Sequence, residues 1–105
     1  MQQRLNLLVE AGTLLLEHGA ATYRVEETLR ALGTALELPG LEVVATPTAF
    51  VINVAGAHPP LTRAHRIARL GVDMSRLASV NNLSRRAVAG ELDEEQVAAL
   101  VARIK

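Results

Sequence analysis

Three groups of polar side chains in this 105-residue sequence have types and spacing that could do chemistry. The first is Glu17, His18, Thr22, Tyr23, Arg24 and Glu26, gathered around Gly19. A helix stopping at Gly19 and another starting at Thr22 as its N-cap would place backbone N–H donors beside an arginine and carboxylates, an arrangement suited to an anion. The same residues could simply form a capped helix junction, with Tyr23 packed on the core. The second group is Thr46, Pro47 and Thr48 with Asn53, polar groups within an apolar stretch, for which turn chemistry alone is the plainer account. The third is Asn81, Asn82, Ser84, Arg85 and Arg86, where Asn81 and Arg85 stand four apart and share one helix face. It reads as a buried amide with a solvated basic edge or, joined by Arg63 and Arg69, as a binding surface for a carboxylate or phosphate.

Other chemistries find little material. The chain has no cysteine, which removes disulfides, thiol catalysis and thiolate metal sites together. His18, His58 and His65 are scattered, with no histidine pair at helical spacing, so no metal site is expected. Gly71 and Gly90 stand alone rather than in a phosphate-cradling motif, and no cofactor is expected. Formal charge is zero and the pI is near 6.8, which gives no reason to expect a nucleic acid partner. That neutrality is segmental. Up to Thr62, six glutamates outnumber Arg4, Arg24 and Arg30; from Arg63 to Gly90, six arginines face only Asp73; the tail is acidic again. The arginines either pair with the flanking acids inside one fold or, with Glu26, offer both charges to a zwitterionic ligand.

The elements that must position these groups follow from periodicity. Leu5 to His18 carries a very broad apolar arc, predicting a helix central to the fold or shared with a partner. Val25, Leu29, Leu32 and Leu36 mark a second helix, with Glu26 four residues before Arg30 and an end at Pro39 and Gly40. Gly12 and Gly33 inside these helices predict close helix crossing. The period then becomes two over Leu41–Thr46 and Ala49–Val54, predicting a hairpin closed through Pro47, and Leu61–Leu70 reads as a third strand. Asp73 is a candidate cap for a helix carrying Leu77, Val80, Leu83 or Ser84, and Ala87, and ending at Gly90. Asp93 and Gln96 form a capping box, with Leu92 and Val97 as staple, before a stripe of Val97, Leu100, Val101 and Ile104. The expected fold is α+β, one domain over residues 1–105 in the order ααβββαα, with helix pairs packed on a small antiparallel sheet. Glu10 and Glu17 interrupt the apolar N-terminus, and prolines interrupt the longest uncharged stretch, so neither a signal peptide nor a membrane span is expected.

The run Glu17-His18-Gly19-Ala20-Ala21-Thr22-Tyr23-Arg24-Val25-Glu26-Glu27-Thr28-Leu29, then Val43-Val44-Ala45-Thr46-Pro47-Thr48, then Gly71-Val72-Asp73 through Leu77, Asn81, Leu83, Ser84 and Arg85, resembles the extramembrane N-terminal domain of the threonine/serine exporter family. The resemblance spans Leu8 to Leu100. It implies a part in exporting threonine, serine or similar small amino acids across the bacterial inner membrane, driven by an ion gradient. It also implies a place on the cytoplasmic side and, as partner, a bundle of membrane-spanning helices on the same or another polypeptide, expected outside these residues. Family positions fall on Gly19, Thr22, Arg24, Val25, Glu26, Thr46, Pro47, Thr48, Asp73, Asn81, Ser84 and Arg85. The expected substrate-binding residues are Thr22, Arg24, Glu26, Thr46, Thr48, Arg63, Arg69, Asn81 and Arg85, with none catalytic. Two other functions compete with a sensing or gating module. One is self-association as a homo-oligomer, through the hairpin edge or the first helix. The other is hydrolysis of small amides or peptides with Glu26 or His18 as base.

Overall fold

The broad apolar arc at the start of the chain folds as helix α1 (Gln2–Glu17), with Leu5, Leu8, Ala11 and Leu15 wholly buried. The computed structural model describes residues 1–67 and 74–105. After α1 come α2 (Thr22–Ala35), β1 (Leu41–Thr46), β2 (Ala49–Val54), β3 (Leu61–Arg66), α3 (Met74–Val88) and α4 (Glu94–Ile104). The order ααβββαα and the α+β class are as expected. The third strand was expected over Leu61–Leu70; it ends at Arg66, with Ile67 already outside it, and Arg69 and the proposed cap Asp73 lie outside the described residues.

Gly19 adopts φ +88°, and its neighbour's amide returns to Leu15 O at 2.9 Å, so α1 stops where a left-handed residue is cheap. The N-cap of α2 is Ala21, extended at φ −65° and ψ 146°, not Thr22. Thr22 is thereby the first helical residue, and no side chain caps this end. Tyr23 is 63% exposed rather than packed on the core, because it stands about 200° around the helix from the buried Val25. The expected stripe of Val25, Leu29, Leu32 and Leu36 is buried. Helix α2 ends before Pro39, at Leu36, and Glu37 takes φ +60° while the Leu38 amide closes onto Gly33 O at 3.0 Å.

The sheet runs β1-β2-β3, both pairs antiparallel, with Thr46 opposite Ala49 across a two-residue turn and Phe50 opposite His65. Alternation sends Val43, Phe50, Ile52 and Val54 into the core, against α1 and α2. Glycine 12 gives the Phe50 ring its room: a Cβ there would stand 2.9 Å from Phe50 Cζ and 3.0 Å from Leu29 Cδ1. Gly33 meets Leu41 of β1 and Leu8 of α1, so both glycines serve helix–sheet approach as well as helix crossing. Helices α3 and α4 pack on α1, and α3 also on α2, extending one core through Val80, Leu83, Val97 and Val101.

The capping box at α4 forms as expected, with Asp93 Oδ1 accepting the Gln96 amide at 2.8 Å and Gln96 Oε1 accepting the Asp93 amide at 2.9 Å. Arg4 ties three helix ends together. Its Nε donates to Glu94 Oε1 at 2.6 Å and its Nη1 to Leu36 O at 3.0 Å. The hydrogen bond to Glu94 holds the Arg4 guanidinium above the ordinary arginine pKa. The central arginines pair only in part with flanking acids: Arg86 Nε lies 3.8 Å from Glu91, while Arg63 donates to the Gln2 amide oxygen at 2.9 Å.

Candidate functional site

Packing of α3 against α2 builds a groove of about 360 Å³ beside the α1–α2 junction. One wall is Gly19, Ala20, Ala21, Tyr23 and Arg24; the other is Leu77, Ala78 and Asn81. Small residues at 19–21 and 78 let the two walls approach while leaving a trough between them. Arg24 comes from the first turn of α2 and is exposed, with no ion pair among the described residues. Asn81, half-buried, projects from the middle of α3. A guanidinium, a carboxamide and the positive end of α2 thus border one trough, a set of donors suited to a carboxylate. None of the lining residues is acidic, so an ammonium group finds no counter-charge there.

The other expected site residues are placed elsewhere. Glu26 turns toward the sheet: its Oε2 accepts the Ala45 amide at 2.8 Å and its Oε1 lies 3.7 Å from Arg30. Thr46 Oγ1 donates to Ala49 O at 3.3 Å, and Thr48 O accepts the Ile67 amide at 2.7 Å, so both threonines act in the hairpin and its junction with the end of β3. Thr22 is half-buried and does not line the groove. Arg63 is held by Gln2. Arg85 borders a different groove, of about 500 Å³, with Ser75, Ser79, Asn82 and Arg86 of α3 and Leu100 and Ile104 of α4. The shared face expected for Asn81 and Arg85 is therefore split between two grooves. His18 keeps Nδ1 buried without a hydrogen-bond partner.

Some lining residues carried no sequence signal of the wall they join. Tyr23 belongs to the groove wall, and only its angular offset from Val25 could have put it outside the core. Glu10, His65, Arg76 and Lys105 meet in a further cleft although they come from four elements or their ends, and no spacing rule joins such residues. Among the described residues, no three His, Asp or Glu side chains converge as metal ligands.

Among the described residues, no helix is long and apolar enough to cross a membrane. No curated protein and no solved structure matches the chain. A family model described as "Putative threonine/serine exporter" matches residues 6–105, which takes in α1 from Asn6 onward, every later element and the groove. On that match, which extends over nearly its whole length, the chain belongs to the threonine/serine exporter family.

Proposed function

We propose that this chain is the extramembrane, cytoplasmic-side part of a threonine/serine exporter, and that it senses the small amino acid or gates the membrane-spanning helices with which it assembles. The groove receives the carboxylate of the amino acid, with Arg24 as charged donor and Asn81 as orienting amide. The observation that carries this reading is that Arg24 and Asn81, distant in sequence, face one trough whose lining holds no competing acid. Calorimetry with threonine and serine tests it. Loss of one charged donor should weaken binding by about tenfold or more, so Arg24→Ala and Asn81→Ala should each lower affinity, the arginine change more. A folded sample that gives no heat with either amino acid, or variants that bind as the parent does, would remove this reading.

Self-association is a second reading, favoured by the outer sheet face. Val44, Val51 and Ala64 stand opposite one another across the three strands, and Val44 is 62% exposed. An apolar row left open on a sheet is a surface that a second copy could cover. Light scattering of the parent and of Val44→Lys at high concentration tests this: a monomer in both would exclude it.

A further inference from the structure

The groove of about 500 Å³ between α3 and α4 shares only Ala78 with the Arg24–Asn81 groove. Helix α3 carries arginines and no acid over Met74–Val88. At 100° per residue, Ser75, Ala78, Ser79, Asn82, Arg85 and Arg86 fall within about 120° of arc, and all six are exposed. Leu77, Val80 and Ala87 point the other way, into the core. Arg85 and Arg86 flank Asn82 on the outer face. Arg85 has neither hydrogen bond nor ion pair among the described residues, and Arg86 Nε stands 3.8 Å from Glu91 in an exposed, weak pair. Ser79 gives its hydroxyl proton to Ser75 O at 3.1 Å, so the donors left are two guanidinium groups, the Asn82 amide and the Ser75 hydroxyl. Apolar surface lies beside them. Val88, three residues after Arg85, is 56% exposed, and the half-buried Leu100 and Ile104 of α4 line the far wall. Arg103, three residues after Leu100, is exposed on that flank of α4 and has no partner among the described residues.

Unpaired arginines call for an anion, and the apolar groups between them narrow its kind. A soluble phosphate would leave Val88, Leu100 and Ile104 facing water. The headgroup layer of a bilayer sets phosphodiester anions directly above hydrocarbon, which matches cations placed around apolar side chains. We infer that this face of α3 and α4 docks on a membrane surface rich in anionic phospholipid. Arg85 and Arg86 pair with headgroup phosphates, Arg103 takes another from across the groove, and Val88 enters the interface. Acids do not oppose the contact: none lines the groove, and Glu95 stands about 140° around α4 from Leu100. The inference rests on the reading above only in that the extramembrane part of an exporter has a bilayer within reach. Because Ala78 borders both grooves, docking sets the Arg24–Asn81 trough at the margin of the bilayer.

The test is co-sedimentation of the chain with vesicles of equal parts phosphatidylglycerol and phosphatidylcholine, and with vesicles of phosphatidylcholine alone. The chain should partition onto the first and not the second, and should come off as salt rises. Each arginine near an anionic surface is worth about fivefold in partitioning, so Arg85→Gln with Arg86→Gln should weaken it by about twentyfold, and Arg103→Gln by about fivefold. Val88→Asp, at an exposed site that spares the core, should weaken it too and serves if the double variant alters the fold. Arg66→Gln removes a charge from the exposed side of β3, away from this face, and should leave partitioning unchanged. Equal partitioning onto both vesicles, or equal losses in the Arg66 and Arg85 variants, would overturn the inference. So would an absence of vesicle binding, which would leave the face to an acidic protein. No amino acid enters this readout: vesicle binding without heat from threonine or serine would uphold the face and remove the ligand of the Arg24–Asn81 groove, and heat without vesicle binding would do the reverse.

Discussion

The Glu26 carboxylate accepts the Ala45 amide at 2.8 Å, so a side chain of α2 occupies a hydrogen-bonding position on the open edge of β1. In the hairpin, Thr46 and Ala49 form the pair closing a two-residue turn, which directs the Ala45 amide away from β2. Without Glu26 that donor would face either water or another strand. Glu26→Ala should therefore destabilise the fold by about 1–2 kcal/mol, the cost of leaving one partly buried donor unpaired. Glu26→Gln retains an acceptor oxygen and should stay within about 0.5 kcal/mol of the parent by urea unfolding. Equal losses in the two variants would show that charge, through Arg30, outweighs the edge contact.

Glycine 12 and glycine 33 offer opposed tests of the same helix layer. Alanine in a helix interior is favoured over glycine by about 1 kcal/mol. At position 12 the new methyl would stand 2.9 Å from the ring of Phe50, which is 1% exposed and hemmed in by core. Overpacking of that kind costs about 1–3 kcal/mol, so Gly12→Ala should be net destabilising by up to about 2 kcal/mol. At position 33 the clash is with the end of the Leu41 side chain, which is only partly buried and can turn aside. Gly33→Ala should lie near neutrality, and thermal unfolding of the pair would separate the two cases.

Much of this architecture was legible in the residues. The periods of α1, α2 and α4, the hairpin around Pro47 and the Asp93–Gln96 box are local signals, each decided within a few residues of chain. The features that sequence did not reveal depend on tertiary contact. Glu26 looked like half of an i,i+4 pair with Arg30, and nothing local announced that β1 would bring an unpaired amide to it. Asn81 and Arg85 share a helical face in projection, but α2 and α4 press on that face from different sides and divide it. Arg24 and Asn81 meet only because α3 returns across the start of α2. Glu37 is left-handed as well as Gly40, at φ +60° and +61°, because the Leu38 amide closes the helix onto Gly33 O before the chain reaches the glycine.

The capping box provides a further prediction for α4. Asp93 satisfies the Gln96 amide and Gln96 satisfies the Asp93 amide, so one substitution disturbs both bonds. Asp93→Ala should cost about 1 kcal/mol, and up to about 2 in a protein host. Hydrogen exchange should speed up most in the first turn of α4, with the β1–β2 amides following only the global change. Uniform acceleration would mean that the box stabilises the whole fold rather than this helix end.

The Arg4 contact predicts a pH response by its sign. Its guanidinium pKa is raised by the Glu94 hydrogen bond, so the folded state holds this proton more tightly than the unfolded chain does. A raised pKa contributes stability that is fully present below the unfolded value and is lost only as pH rises through the folded one. Both values lie in strongly alkaline solution, so Arg4 adds no slope to stability between neutral and mildly alkaline pH. Arg4→Ala should lower the melting temperature by the same interval at neutral and mildly alkaline pH, since it removes the bonds to Glu94 and to Leu36 O at once. Added salt should shrink that interval only in part, because it screens the charge pair while the bond to a carbonyl persists. A full loss of the difference in high salt would reduce Arg4 to a surface ion pair; a difference that grows toward mildly alkaline pH would contradict the direction of its pKa shift.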